Sequence, residues 1–166
     1  MIAAHDVLIF TAACVLMVLT PGPNMIYLIS RSICQGRAAG VTSLVGVVAG
    51  FFVHMLAAAV GLTAVFLAVP MAYEALKWAG ALYLMWMAWQ AVRPGARSPF
   101  EARELVPDSS SKLVAMGFLT SVLNPKVALF YLSILPQFIS PAHGSMFIQS
   151  ILLGLIQISV SFTVTL

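Results

Sequence analysis

The chain has 166 residues, of which 61% are hydrophobic and 8% are charged, and its formal net charge is +3. Soluble domains carry about 25% charged residues, so this composition excludes a soluble domain and indicates an integral membrane protein. The apolar runs lack strand periodicity, which argues against an outer-membrane barrel and favours about five helical spans of roughly 20 residues. Most basic residues fall in the loops, where they indicate membrane orientation and not a nucleic-acid surface.

The first apolar segment covers residues 7–30 and is interrupted near its middle by Pro21-Gly22-Pro23-Asn24. Proline lacks a backbone N–H and its ring clashes with the preceding turn, so the helix should break here and begin again with Pro23 in its first turn. The break leaves carbonyls before it and N–H groups after it without helical partners, which the membrane tolerates only where protein or a wet cavity covers them. A kink that only helps helices pack is the alternative interpretation. A short loop, residues 31–37, should follow.

The second segment, residues 40–69, carries a stripe of small residues with a histidine in its middle. The members lie three or four residues apart: Gly46, Gly50, His54, Ala58 and Gly61. Small residues at this spacing let a second helix pack closely in lipid. His54 has two interpretations, either a hydrogen bond across the helix seam or a role in a proton or substrate pathway, since ionisable groups at membrane depth are usually functional.

The third segment, residues 71–92, carries Tyr83, Trp86 and Trp89 toward one end, as is typical of an aromatic belt at the membrane interface. The stretch that follows, residues 93–112, is rich in proline, serine and charged residues. It predicts a hydrophilic loop and not a separate domain.

The fourth segment, residues 113–138, resembles a second copy of the first. It is broken at Asn124-Pro125-Lys126, and Val122-Leu123-Asn124-Pro125 aligns with Val18-Leu19-Thr20-Pro21. The copies are an odd number of segments apart, so they should cross the membrane in opposite directions. Inverted repeats that begin with a broken helix are typical of secondary transporters, whose substrate site lies at the breaks. A fifth segment covers residues 145–166.

These features predict an all-α, polytopic transmembrane helical bundle in a single domain, residues 1–166. Repeat one covers about residues 7–92, a cytoplasmic loop covers 93–112, and an incomplete repeat two covers 113–166. An inverted three-plus-three arrangement requires six spans, of which five are present, with the first and fourth helices broken.

Motifs along nearly the whole chain resemble those of the LysE/RhtB-type amino-acid exporters of bacterial inner membranes. They are Pro21-Gly22-Pro23-Asn24, Ser30-Arg31-Ser32, Gln35-Gly36-Arg37 with Gly40, Gly46 through His54, Leu76-Lys77-Trp78-Ala79-Gly80-Ala81-Leu82-Tyr83-Leu84, Gly117-Phe118, Asn124-Pro125-Lys126 and Pro136-Gln137-Phe138. The resemblance implies proton-coupled export of small amino acids or derivatives, such as threonine, homoserine, lysine or leucine. Since members of the family have six segments, it also implies a chain truncated before the sixth. The alternative function is then a non-transporting fragment or an accessory membrane subunit.

The two breaks together predict a substrate site, whose residues are Pro21, Gly22, Pro23, Asn24, Asn124, Pro125 and Lys126. An amino acid is a zwitterion and needs a positive and a negative partner, both shielded from water. The restarted helices offer N–H groups and a positive dipole end to the carboxylate, and the freed carbonyls near Thr20 and Leu123 can take the ammonium. Asn24 and Asn124 can cap the broken helices or line the site, and the two roles are compatible.

Lys126 adds a full charge to this site. A charge near the middle of a span costs about 2.5–3.5 kcal/mol on the insertion scale, so it needs a partner. No acidic residue lies in the interior of an apolar segment, which leaves the freed carbonyls and a substrate carboxylate as candidates. Snorkelling of the side chain to an interface is the alternative interpretation.

Other functional classes find little support. His5, His54 and His143 fall in three separate regions, so neither a metal site nor a catalytic triad is predicted, and no phosphate loop is present. Cys14 and Cys34 are too few for a disulfide framework. We therefore expect a transporter and not an enzyme, without metal or cofactor. Its partners are the lipid bilayer and a small amino acid, with no nucleic acid, and a homo-oligomer is compatible with the sequence.

The distribution of basic residues predicts the orientation in the membrane. Most of them lie in the loops after the first and third segments, namely Arg31, Arg37, Arg93, Arg97, Arg103 and Lys112. Positive-inside bias places both loops in the cytoplasm and the N-terminus outside. Single cysteines placed at residues 93–112 should resist a membrane-impermeant thiol reagent in intact cells and react after permeabilisation. Labelling of this loop from outside would contradict the orientation.

Overall fold

The computed structural model describes residues 2–68, 78–86, 89, 93 and 108–166, and no strand occurs in this part of the chain. Helices account for nearly all of it, which confirms the all-α prediction. Most of the polar loop and much of the predicted third segment lie outside the described residues, although residues 78–86 are helical. The structure therefore bears mainly on the first, second, fourth and fifth predicted segments.

The first segment is broken at the predicted place. Helix α1 covers Ala4–Leu19, helix α2 covers Pro23–Gln35, and their axes are bent by 54°. Helix α2 begins with Pro23 in its first turn, as predicted, because a missing N–H costs nothing there. Gly22 precedes α2 in an extended conformation and provides no side-chain cap.

Helix α3 covers Arg37–Ala68 and contains the second segment. The prediction of a loop at residues 31–37 is wrong, because α2 continues to Gln35 and only Gly36 separates the two helices. Gly36 has a φ of +86°, a left-handed conformation that residues with a side chain rarely adopt. A single glycine in this conformation ends one helix and redirects the chain into the next.

The fourth segment is also broken where predicted. Helix α4 covers Ser110–Val122, and after a bend of 45° the chain continues as helix α5, Pro125–Leu129. A π-helical turn, Phe130–Ile134, and a 3₁₀ turn, Leu135–Phe138, complete this segment. A short 3₁₀ turn then leads into helix α6, Met146–Thr165.

Two stretches are long and apolar enough to cross a membrane by themselves, Arg37–Gly61 in α3 and Met146–Thr165 in α6. Each of the two bent pairs meets the same criteria when taken as one span, so the described residues contain up to four spans. The remaining predicted span is the third segment, which lies largely outside the described residues.

Helices α3 and α4 pack closely along the predicted small-residue stripe. A Cβ atom built on Gly46 would lie 2.0 Å from the Val114 carbonyl oxygen, and one on Gly117 would lie 2.3 Å from the Ser43 carbonyl oxygen. A Cβ on Gly50 would meet the Ser121 side chain at 2.5 Å. Backbone contact of this kind requires glycine and provides the van der Waals packing that holds helices together in lipid.

Helix α6 is held against α1 and α3 by the buried core. The Phe10 ring of α1 packs against Phe130 and Phe138, with ring centroids 5.8 and 5.3 Å apart. The Met55 side chain of α3 fills the space that a side chain at Gly154 would need. The ring contacts hold α1 against the turns that precede α6, and the Gly154 contact holds α6 against α3.

An ion-pair cluster joins the end of α2 to the start of α4. Arg31 lies 2.5 Å from the Asp108 carboxylate and is buried, and the Gln35 amide also donates to this carboxylate at 3.2 Å. Lys112 pairs with the other carboxylate oxygen. Hydrogen bonds from Lys112 and Gln35 hold the pKa of Asp108 below its ordinary value. The cluster fixes the far end of α2 against the start of α4.

We predict a pH-dependent loss of stability when Asp108 is replaced by asparagine. Because the pKa of Asp108 is lower in the folded state, its stabilisation is complete above the ordinary aspartate pKa of about 3.9 and is lost as the pH falls through the folded value. The Asp108→Asn protein should melt below the wild type at neutral pH, and the difference should shrink as the pH falls below about 4. A difference in melting temperature that stays constant down to low pH would contradict this.

The helix seam gives a second prediction with an internal control. Gly46→Ala should destabilise the protein by about 1–3 kcal/mol, the usual cost of overpacking, because its Cβ collides with backbone. Gly61→Ala should not, since no atom of the described residues outside its own helix turn lies within 4 Å of the added Cβ. Thermal unfolding in detergent checks both variants. Equal effects of the two substitutions would show that the seam is looser than described.

Candidate substrate site at the two helix breaks

The two helix breaks meet in the structure. The Lys126 ammonium of α5 donates a hydrogen bond to the Thr20 carbonyl at 2.5 Å, and the Thr20 residue ends α1. The same side chain passes Gly22, where an added Cβ would lie 3.2 Å from both Cδ and Nζ of Lys126. Lys126 is only 6% exposed within the chain. Its partner is thus one of the freed carbonyls considered from the sequence, and its side chain is buried among protein groups.

Asn124 caps the restarted helix of the second break. Its side-chain oxygen accepts the Lys126 backbone N–H at 3.0 Å, and Pro125 occupies the first helical position. Asn124 is 2% exposed and also lines the cavity described below. Asn124 therefore caps the helix and also lies in the wall of this cavity.

Asn24 does not cap α2. It lies one residue inside the helix, and its amide donates to the Ser121 hydroxyl of α4 at 3.4 Å. Its side-chain oxygen is buried and has no hydrogen-bond partner among the described residues. Helix α2 therefore begins without a side-chain cap, and next to its first turn lies an acceptor that a ligand could use.

A cavity of about 520 Å³ lies at the junction of the breaks. This volume falls within the range of about 300–1,000 Å³ that is usual for small-molecule sites. Four of the seven predicted site residues line it, namely Gly22, Asn24, Asn124 and Lys126. The three prolines shape the breaks but are not among the lining residues.

Apolar side chains form most of the remaining cavity wall, including Leu28, Val47, Phe51 and Val127. Helix α6 adds Ser161, Val164 and Thr165. None of the residues that line the cavity in the described part of the chain is acidic. The cavity thus combines one cation with neutral polar groups and an apolar wall.

His54 lies in the seam between α3 and α4 and is not among the lining residues. Its Nε2 lies 3.0 Å from the Ser121 carbonyl oxygen, and since a carbonyl only accepts, Nε2 must carry the proton. Pro125 lacks the N–H that would normally bond this carbonyl in a continuous helix. The His54 ring also stacks on Tyr131, with centroids 6.1 Å apart. This geometry matches the packing interpretation of His54.

Sequence reasoning did not place α3 and α6 at the site. Val47 and Phe51 come from α3, where the sequence singled out only the small-residue stripe and His54, and Ser161 and Thr165 come from α6, for which it predicted no site residue. Hydropathy shows that a segment crosses the membrane but not which of its faces meets a particular partner. The Ser159 and Ser161 hydroxyls were equivalent in the sequence and differ only in the folded chain.

No group of three or more metal-binding side chains occurs in the described ranges. The polar side-chain groups of the cavity are amide, hydroxyl and ammonium, which donate and accept hydrogen bonds. Such a set can orient a small polar molecule. Together with the broken helices and the apolar bundle, it is an arrangement typical of membrane transporters.

Comparison with known proteins identifies the family. The model of the LysE type translocator family matches residues 15–166. The chain is 33% identical over 150 residues to a homoserine/homoserine lactone efflux protein of Salmonella typhimurium, an alignment that covers 90% of this chain and 71% of that protein. It is 31% identical over 123 residues to a leucine efflux protein of Enterobacter sp., covering 74% of this chain and 58% of that protein. No solved structure matches the chain.

The chain therefore belongs to the LysE type translocator family. Membership makes it a multi-pass protein of the bacterial inner membrane and an amino-acid exporter, not an enzyme. This confirms the resemblance drawn from the sequence motifs. The substrate, the coupling ion and the site residues are the subject of the proposal that follows.

Proposed function

We propose that the protein exports a small amino acid, or a close derivative, whose side chain carries no charge. The cavity at the two helix breaks would be the substrate site. The observation that carries this proposal is the buried Lys126 ammonium, which lies in the cavity wall and is held by a carbonyl that the first helix break releases. Because a charged side chain inside a membrane span is energetically unfavourable, such residues are usually functional.

The substrate carboxylate would bind on the Lys126 side of the cavity. Helix α2 points an uncapped first turn at the cavity, with Gly22, Asn24 and Met25 in the wall. Backbone N–H groups at a helix N-terminus carry a positive partial charge and bind carboxylates. Lys126 adds a full positive charge, so the two features favour the same group of the substrate. The second restarted helix contributes less, because Asn124 already occupies the Lys126 N–H.

The substrate ammonium would take the acceptors that surround Lys126 in the empty site. When the carboxylate draws Lys126 to itself, the Thr20 carbonyl loses its donor and can accept from the substrate ammonium. The side-chain oxygen of Asn24, which has no partner among the described residues, is a second acceptor. In this exchange the hydrogen bond between Lys126 and Thr20 is replaced by one bond from Lys126 to the substrate carboxylate and one from the substrate ammonium to Thr20. Lys126 is paired in both states, which avoids the cost of an isolated buried charge.

The apolar wall favours a substrate with an uncharged side chain. A second ammonium, such as that of lysine, would have no carboxylate partner among the lining residues, and burying an unpaired charge is costly. Leu28, Val47, Phe51 and Val127 would contact aliphatic carbon atoms instead. The names of the relatives, which refer to homoserine, its lactone and leucine, agree with this substrate class.

We further propose that export is driven by proton exchange. Lys126 is the first candidate for the exchanging group, because substrate binding changes its hydrogen-bond partner. His54 is the second, although its Nε2 is engaged by the Ser121 carbonyl. Dissipating the proton gradient with a protonophore should slow export from loaded vesicles, while collapsing a sodium gradient should not.

Lys126→Met should lower export at least about tenfold, because a hydrogen bond to a charged group contributes about 1.5–3 kcal/mol. Lys126→Arg should show little more export than Lys126→Met, since the planar guanidinium does not fit the position of a compact ammonium between Thr20 and Gly22. The measurement is efflux of radiolabelled homoserine and leucine from loaded vesicles, normalised to inserted protein. Lys112→Met is the matched control, because it removes the same charge from an exposed side chain.

Normal efflux by the Lys126→Met protein would refute this substrate site. Wild-type protein that inserts but exports no amino acid would instead favour the alternative, a non-transporting accessory membrane subunit. Loss of insertion in the Lys126→Met protein alone would indicate that Lys126 serves folding and not transport.

A further inference from the structure

We infer that Ser161 donates a hydrogen bond to an oxygen atom in the side chain of the substrate, so that the site selects amino acids bearing a hydroxyl or carbonyl oxygen over apolar analogues. This inference rests on the proposed function, because it concerns the same cavity. Ser161 lies on α6 and forms part of the cavity wall. It is 1% exposed, so its hydroxyl is well shielded from competing water.

Ser161 differs from the other hydroxyl residues within α6. Four of them donate to the backbone carbonyl four residues earlier, at 2.6–2.9 Å; they are Ser150, Ser159, Thr163 and Thr165. This local bond is the usual arrangement for serine and threonine inside a helix. The Ser161 hydroxyl instead accepts a hydrogen bond from the Gln157 amide at 2.6 Å. Within the described residues its own proton has no acceptor.

The direction of this hydrogen bond follows from the buried chain behind it. The Tyr131 hydroxyl lies 2.7 Å from the Gln157 side-chain oxygen and 3.5 Å from the Gly154 carbonyl oxygen. Donation over the shorter distance leaves the Gln157 NH₂ group to donate to Ser161. Tyr131 is 1% exposed and Gln157 is fully buried, so no water competes for these groups. The chain therefore holds the Ser161 oxygen as an acceptor and leaves its O–H proton without an acceptor among the described residues.

A buried donor without a partner is unfavourable, and most such groups in proteins have one. An acceptor atom on a bound ligand would provide it here. In the proposed site the substrate carboxylate binds Lys126 and the first turn of α2. The remaining acceptor for the Ser161 proton is therefore an oxygen of the substrate side chain. A hydroxyl or a lactone carbonyl fits this requirement, whereas an aliphatic side chain leaves the Ser161 donor unsatisfied.

The test compares homoserine with 2-aminopentanoate, in which a methyl group replaces the hydroxyl. Efflux of both compounds is measured with the full chain in proteoliposomes, and kcat/KM is compared within each variant. A site with a fixed donor discriminates against a substrate that lacks the matching group. We expect the wild type to prefer homoserine and Ser161→Ala to reduce that preference roughly three- to tenfold, as expected for one neutral hydrogen bond. The loss should come from homoserine, with 2-aminopentanoate unchanged.

Ser159→Ala is the matched control, because Ser159 is exposed and its hydroxyl is already bonded to the Leu155 carbonyl. It should leave the preference unchanged. Gln157→Leu provides a second variant, since Ser161 could then turn to a local carbonyl, and it should reduce the preference as Ser161→Ala does. Thermal unfolding of each protein separates this effect from loss of fold.

An unchanged preference in Ser161→Ala, with efflux intact, would overturn the inference and leave the proposed function standing. A wild type that exports both compounds equally would overturn it as well. Absence of efflux of both compounds from the wild type would overturn the proposed function, and the inference with it.

Discussion

The rest of this structure depends on the requirement that every polar backbone group inside a membrane protein must find a partner. Two proline-containing breaks remove backbone N–H donors that the carbonyls of the preceding helices would otherwise have, and the Ser121 carbonyl keeps only a local bond from the N–H groups that follow it. The fold satisfies two of these carbonyls with side chains from elsewhere in the chain, since Lys126 bonds the Thr20 carbonyl and His54 bonds the Ser121 carbonyl. The breaks must therefore lie next to other helices, and this proximity creates the cavity.

The hydrogen bond from Lys126 to the Thr20 carbonyl also explains how a charged ammonium is retained inside an apolar bundle. An ammonium in an apolar bundle would be unstable alone, and no acidic side chain lines the cavity in the described residues. A backbone carbonyl is a neutral acceptor, so it satisfies the ammonium without neutralising its charge. The charge remains available to a carboxylate that enters the cavity. A carboxylate partner from the protein would have competed with the substrate for the same site.

Close helix packing makes these contacts possible. His54 reaches the Ser121 carbonyl because Gly46, Gly50 and Gly117 let α3 and α4 approach to backbone contact. Helix α2 is fixed at both ends, by the break at Gly22 and by the pairing of Arg31 with Asp108. Glycine contacts and one buried ion pair thus also hold the elements that enclose the cavity in place.

The sequence by itself determined the features that follow from local rules. Composition established the membrane class, proline chemistry placed both breaks and the start of α2 at Pro23, and spacing identified the small-residue stripe. The tertiary structure decided which partners these groups take. The choice of the Thr20 carbonyl for Lys126, the engagement of His54 and the difference between Ser159 and Ser161 depend on helix rotation and approach. The packing of distant segments sets the rotation and approach of each helix, and the local pattern of residues does not encode that packing. The single-residue turn at Gly36 was not predicted, for a related reason. A glycine after a helix is compatible with a loop of several residues or with a direct turn into the next helix. The packing of α2 against α3 decides between the two.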